Sequence, residues 1–163
     1  MSVGESAEDG PRRPAPVFDD LEYDFDEAWY DLGRTGTLLG DDENFRAAYA
    51  RVLVRLPEEI RRFTLDRITF LSIGRTASGW CWPMSAIDKR SRKWLIVIDE
   101  NYSGDMESNI AHEIAHARLG HNALAGGTPA AAASVEGEAD DLSVAWGFTR
   151  CYPPGGSNTG PCS

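Results

Sequence analysis

Thirteen residues from Ser108 to Gly120, SNIAHEIAHARLG, constrain this chain more than any other stretch, and they hold two of its three histidines. His112, Glu113 and His116 form an HExxH pattern. On an α-helix, residues four apart lie about 40° round and one turn along, so two imidazoles at that spacing can grip one ion from the same side. The pattern therefore reads as a Zn²⁺ site, with Glu113 beside an open metal position where a carboxylate can take a proton from water. Ile110, Ala111, Ile114, Ala115, Ala117 and Leu119 place small or apolar side chains all round the same helix, as a helix buried in a core requires. Ser108 is expected to cap its start and Gly120 its end. The competing reading is a buried helix whose histidines only satisfy hydrogen bonds. A third metal ligand would decide against it.

A chain of 163 residues, 42% of them hydrophobic, suits one domain with a real core and tails. The apolar runs are too short to cross a bilayer. The opening MSVGESAEDGPRRP has no apolar stretch behind its charges, so a cytoplasmic location is expected. Cys81, Cys151 and Cys162 cannot all pair within one chain and match no zinc-ribbon or redox spacing, which suggests free thiols. The net charge of −10 is unevenly spread: residues 1–43 hold thirteen acids against three bases, residues 44–93 eleven bases against four acids, and the rest nine acids against two bases. Overall acidity opposes a polyanion, so the basic middle is read as a solvated face or a contact for the acidic N-terminal arm, and nucleic acid is not an expected partner.

Residues 1–40 read as an acidic arm, disordered over 1–17 and carrying a short amphipathic segment marked by Phe18, Leu21, Phe25, Trp29 and Leu32, then a linker from Gly33 to Gly40. Residues 41–150 form the folded domain, and 151–163 a flexible tail. Phe45, Tyr49, Val52, Leu53 and Leu56 mark a helix starting near Asp41 and Asp42, and Pro57 begins a shorter one to about Leu65. The period then changes to that of strands in Arg67–Gly74, Gly79–Trp82 and Lys93–Asp99, expected to form a small antiparallel sheet. The charged stretch Met84–Lys93 reads as a solvated hairpin connection. Thr128 and Pro129 start a long helix ended by Gly147, with Val135, Ala139, Leu142 and Trp146 as its core stripe.

Acids on that last helix are the source of a third ligand. Glu136 and Glu138 flank the stripe on opposite sides, and both can reach inward. Asp140, one turn beyond Glu136, favours Glu136, because a metal-bound histidine needs a partner for its free N–H. Glu138 stays as the alternative ligand.

HEIAHARLGH followed by EGEADDLSVAWGF resembles the active-site pair of the gluzincin metallopeptidases, in which HExxH on one helix is completed by ExxxD on the next. Glu136 to Asp140 fits ExxxD. Within that group, the small size, the strand before the motif helix and the acidic-Ala-acidic element are most similar to the ImmA/IrrE-type cytoplasmic and phage-associated peptidases, over about residues 94–148. The metzincin pattern fails, since Leu119 and Asn122 stand where it needs glycine and histidine. His121 is one place off and, on a continuing helix, would lie on the side opposite His112, so it reads as a surface or capping residue. A deformylase-like cysteine ligand would have to be Cys81, whose neighbours do not match, and it reads as core. Thermolysin-type enzymes support the oxyanion with a later histidine; none follows His121 here, which leaves Tyr102, Arg150 and Tyr152 as candidates.

The resemblance implies an α+β, compact zincin-like domain, its sheet packed on the HExxH helix and on a following ligand helix. It implies a zinc metallopeptidase with a protein or peptide substrate, His112, His116 and Glu136 on the metal, and Glu113 as general base. Strand Trp94–Ile98, if it is a sheet edge, would align an extended substrate. The other expectation is a non-catalytic, zinc-stabilised regulatory or phage interaction protein, which would need a fourth ligand to close the site. His121 is its one obvious donor.

Overall fold

A computed structural model describes residues 23–40, 42–73, 79–99, 104–121 and 128–151. Among them the chain forms five helices and a four-stranded mixed sheet. In chain order these are α1 (Phe25–Thr35), β1 (Leu38–Leu39), α2 (Glu43–Arg55), α3 (Glu58–Arg67), β2 (Ile68–Ile73), β3 (Gly79–Pro83), a 3-10 turn (Met84–Ala86), β4 (Trp94–Asp99), α4 (Met106–Leu119) and α5 (Pro129–Ala145). The arrangement agrees with an α+β class. None of the described helices is long and apolar enough to cross a membrane.

The helix starts follow local chemistry. Asp24, Asp42 and Thr128 accept from the backbone N–H three residues on, which satisfies donors that the first turn leaves unpaired. Pro57 fixes the entry to α3 by its ring alone. At α4 the cap is Asp105 rather than Ser108, and the helix starts earlier than expected. Ser108 is instead buried, giving its hydroxyl proton to Asp105 (2.6 Å) and accepting the Thr149 N–H (2.9 Å). A cap must lie outside the helix, and Asp105 has the carboxylate and the extended backbone for it.

The sheet is mixed, not antiparallel. Its order is β1-β2-β4-β3: β1 and β4 run parallel to β2, and only β3 and β4 form an antiparallel hairpin. The antiparallel expectation assumed that strands adjacent in sequence pair, but β3 passes beyond β4 to the far edge. Strand β4 is thus interior, and Ile96, Val97 and Ile98 are all buried, as a strand covered on both faces requires. It cannot serve as a substrate edge; among the described residues the edges are β1 and β3. The charged segment between β3 and β4 is the exposed hairpin connection expected of it.

The expected linker Gly33–Gly40 is likewise structured. Gly33 lies inside α1, and Leu38 and Leu39 pair with Phe70 and Leu71. Ala28 and Leu32 enter the main core with Phe45, Tyr49, Val52, Leu53, Phe70, Ile96, Ile110 and Ile114. The rings of Tyr49 and Phe70 lie 4.5 Å apart at its centre. Arginines of the basic middle hold this segment: Arg46 stacks on the Trp29 ring at 4.0 Å and donates to the Trp29 carbonyl, and Arg61 covers the Tyr23 ring. Arg51 and Arg55 both pair with Glu107 at the start of α4, where a negative charge also suits the helix dipole. Part of the positive charge is therefore spent inside the molecule. The disorder expected over 1–17, with Phe18 and Leu21, and the tail beyond Cys151 lie outside the described residues.

Candidate metal centre

Helix α4 is buried on every side from Ser108 to Ala117, and α5 packs against it. Two imidazoles and one carboxylate converge between them. His112 Nε2 lies 2.9 Å from His116 Nε2 and 3.0 Å from Glu136 Oε2, and His116 Nε2 lies 3.4 Å from the same oxygen. Two nitrogen atoms and an oxygen atom, one from each residue, thus form a small triangle. Ligands at about 2.05 Å from one tetrahedral ion sit about 3.3 Å from each other, so the triangle is close to the face of such a site. These residues can hold a metal ion.

Of the two candidate third ligands, the structure brings Glu136 to the imidazoles. Glu138 is exposed, and its carboxylate meets His121 Nε2 at 3.3 Å and the Ser134 hydroxyl at 3.3 Å. Asp140 is fully buried and touches His112 Nδ1 at 2.9 Å while accepting the Cys151 N–H at 3.1 Å. A carboxylate on Nδ1 fixes the proton there and leaves the Nε2 lone pair facing the triangle. The expected core stripe is shifted accordingly. Ala139, Asp140 and Ser143 are the buried residues of α5, while Val135, Leu142 and Trp146 are half-buried.

Charge and burial work against each other here. Burial opposes a proton on His112, but hydrogen bonds to Asp140 and Glu136 outweigh it and raise its pKa to about 9. Burial likewise raises Glu136, yet the bonds to His112 and His116 prevail and lower it to about 2. Glu113 is buried next to the same groups; desolvation pushes its pKa up, partly offset by the two histidines.

Other candidates fall elsewhere. Arg150 is committed to Asp141 and lies 3.8 Å from Asp140, behind His112 rather than at the triangle. Tyr102 and Tyr152 lie outside the described residues. Cys81 is a buried free thiol in the core, its pKa raised by desolvation first and by the Glu113 charge second, and among the described residues it joins no metal-binding group. Cys151 departs from the free-thiol expectation, because it is disulfide-bonded. An odd cysteine count leaves room for one pair, and spacing alone does not reveal it. His112, Asp140 and Cys151 also cluster, but a disulfide sulfur is no thiolate ligand and Asp140 already occupies His112 Nδ1.

Sequence reasoning missed His121. Its Nδ1 lies 3.0 Å from His116 Nδ1, on the face of that ring away from the triangle. Gly120 ends α4 as expected, but its left-handed backbone (φ +78°) also turns the chain back, so the angle reckoned for His121 on a continuing helix does not apply.

No protein-family model matches this chain, and no curated protein or solved structure matches it either.

Proposed function

We propose that the protein is a zinc-dependent metallopeptidase of zincin-like architecture. The observation that supports this most is the convergence of His112 Nε2, His116 Nε2 and Glu136 Oε2 beside the buried Glu113. Two imidazoles and a carboxylate are the donor set of a catalytic zinc site that keeps a position open. A structural site would be closed by a fourth ligand, but both ring nitrogens of His121 are already engaged, by His116 and Glu138. Among the described residues, no fourth donor joins the group.

When bound, zinc supplies a Lewis acid that polarises a carbonyl and lets water lose a proton near neutral pH. The chain's own part is proton transfer and orientation. Glu113 takes the proton from the attacking water and passes it to the leaving amine, and desolvation raises its affinity for that proton. Asp140 holds His112 in one tautomer. Strand β3 is an edge of the sheet among the described residues and packs against α4, so an extended peptide laid along it would run beside the metal helix. A protein segment is the substrate that such an edge suits.

Glu113→Gln tests the assignment, since an amide fills the same volume but cannot take the proton. The variant should keep stoichiometric zinc and the native fold while hydrolysis of a generic unfolded protein substrate disappears. Undiminished turnover would remove Glu113 from the chemistry.

A further inference from the structure

His112 and His116 are the two imidazoles of the triangle, and their other nitrogens are held in different ways. His112 Nδ1 meets a buried carboxylate, whereas His116 Nδ1 meets a third imidazole. That imidazole is placed by backbone as well as by side chain. The His121 N–H bonds the His116 carbonyl at 2.9 Å and the Gly120 N–H bonds the Ala117 carbonyl at 3.2 Å, the paired bonds of a Schellman ending. The residue after the left-handed glycine is thereby returned beside His116. From there a chain of contacts runs on to α5: His121 Nε2 to Glu138 Oε2 at 3.3 Å, then Glu138 Oε1 to the Ser134 hydroxyl at 3.3 Å.

The direction of these bonds follows from chemistry. If His116 Nε2 gives its lone pair to a metal, His116 Nδ1 must carry the proton and donate. His121 Nδ1 must then accept, so the His121 proton sits on Nε2 and is donated to the Glu138 carboxylate. Each member has the one protonation pattern that fits its neighbours.

We infer that His121 and Glu138 are positioning residues for His116, fixing its tautomer and ring orientation from outside the metal site as Asp140 does for His112. The inference rests on the metal reading of the triangle. It assigns Glu138 a role other than metal ligand and explains why α5 carries an exposed acid opposite the end of α4. It also ties the two helices on both sides of the triangle, through Asp140 on the buried side and Glu138 on the exposed side.

The test is zinc affinity, measured by competition with a chromophoric chelator, in the wild-type chain and in His121→Ala, His121→Asn, Glu138→Ala and the His121→Ala/Glu138→Ala pair. The melting temperature of each metal-free protein is recorded alongside. His121→Ala should weaken zinc about tenfold, at the low end of what such outer partners contribute. Glu138→Ala should weaken it less, and the double variant should be no worse than His121→Ala, because the two residues act in series. His121→Asn should recover part of the loss, since its amide oxygen can accept from His116. A role in packing alone would lower the metal-free melting temperature and leave affinity unchanged. Wild-type affinity in His121→Ala, or additive losses in the pair, overturns the inference. Should His121→Ala not fold, unchanged affinity in both His121→Asn and Glu138→Ala overturns it. A wild-type chain that binds no zinc removes the metal reading itself, and this inference with it.

Discussion

Asp140 has more than one task, and its replacement separates them. It is fully buried, holds His112 Nδ1 and accepts the Cys151 N–H. Asp140→Ala should lower zinc affinity by roughly 10- to 100-fold, seen by chelator competition. It should also cost about 1–3 kcal/mol of stability in denaturant unfolding, because it leaves buried donors without partners. In the metal-free chain His112 and Glu136 meet directly, 3.0 Å apart, and each favours the charged form of the other. His112 is raised from 6.5 to about 9, so its contribution is complete below pH 6.5 and is lost as pH rises through about 9. Glu136 is lowered from 4.5 to about 2, so its contribution is complete above pH 4.5 and is lost as pH falls through about 2. Thermal unfolding of metal-free protein should therefore show these groups' stabilisation greatest between about pH 4.5 and 6.5, and a melting temperature that climbs steadily toward pH 9 would contradict it. His112, Glu113 and His116 were legible because helical spacing is a local property. Asp140, one turn on, already favoured Glu136 in the sequence, but placing Glu138 away from the imidazoles needed the packing of α5 on α4, which a single sequence does not carry.

At the scale of elements, α2 was readable from the period of its apolar face, and α4 from its motif and from the small or apolar residues set all round it. Helix α5 was readable only in extent. Its inward face carries Asp140 and Ser143, so the polar needs of the site, not hydrophobicity, set its rotation. Strand β1 was missed for a related reason: two residues have no period, and their pairing depends on β2, some thirty positions away. Gly120 tests the end of α4. Nothing lies within 4 Å of a Cβ placed there, so Gly120→Ala isolates the cost of the left-handed backbone, about 1–2 kcal/mol in chemical unfolding. If stability is unchanged, the turn that brings His121 to His116 is not held by this glycine.

For the whole molecule, one core joins α1, α2, the sheet and α4, and the triangle lies between α4 and α5 at the side of that core. Folding and metal binding are then linked, because the triangle exists only when α5 is docked. A chelator should lower the melting temperature, since an ion bound to the native state alone adds stability that grows with its concentration over Kd. The mixed order of the sheet escaped sequence reasoning because hydrophobic pattern gives a strand's faces but not its neighbours. The most direct measurement is the zinc content of purified protein, wild type beside Glu136→Ala, by elemental analysis after dialysis. Wild-type protein should hold about one zinc per chain, and the variant none in stoichiometric amount. Wild-type protein without zinc, or a Glu136→Ala variant that keeps it fully, would rule out a zinc site built on His112, His116 and Glu136.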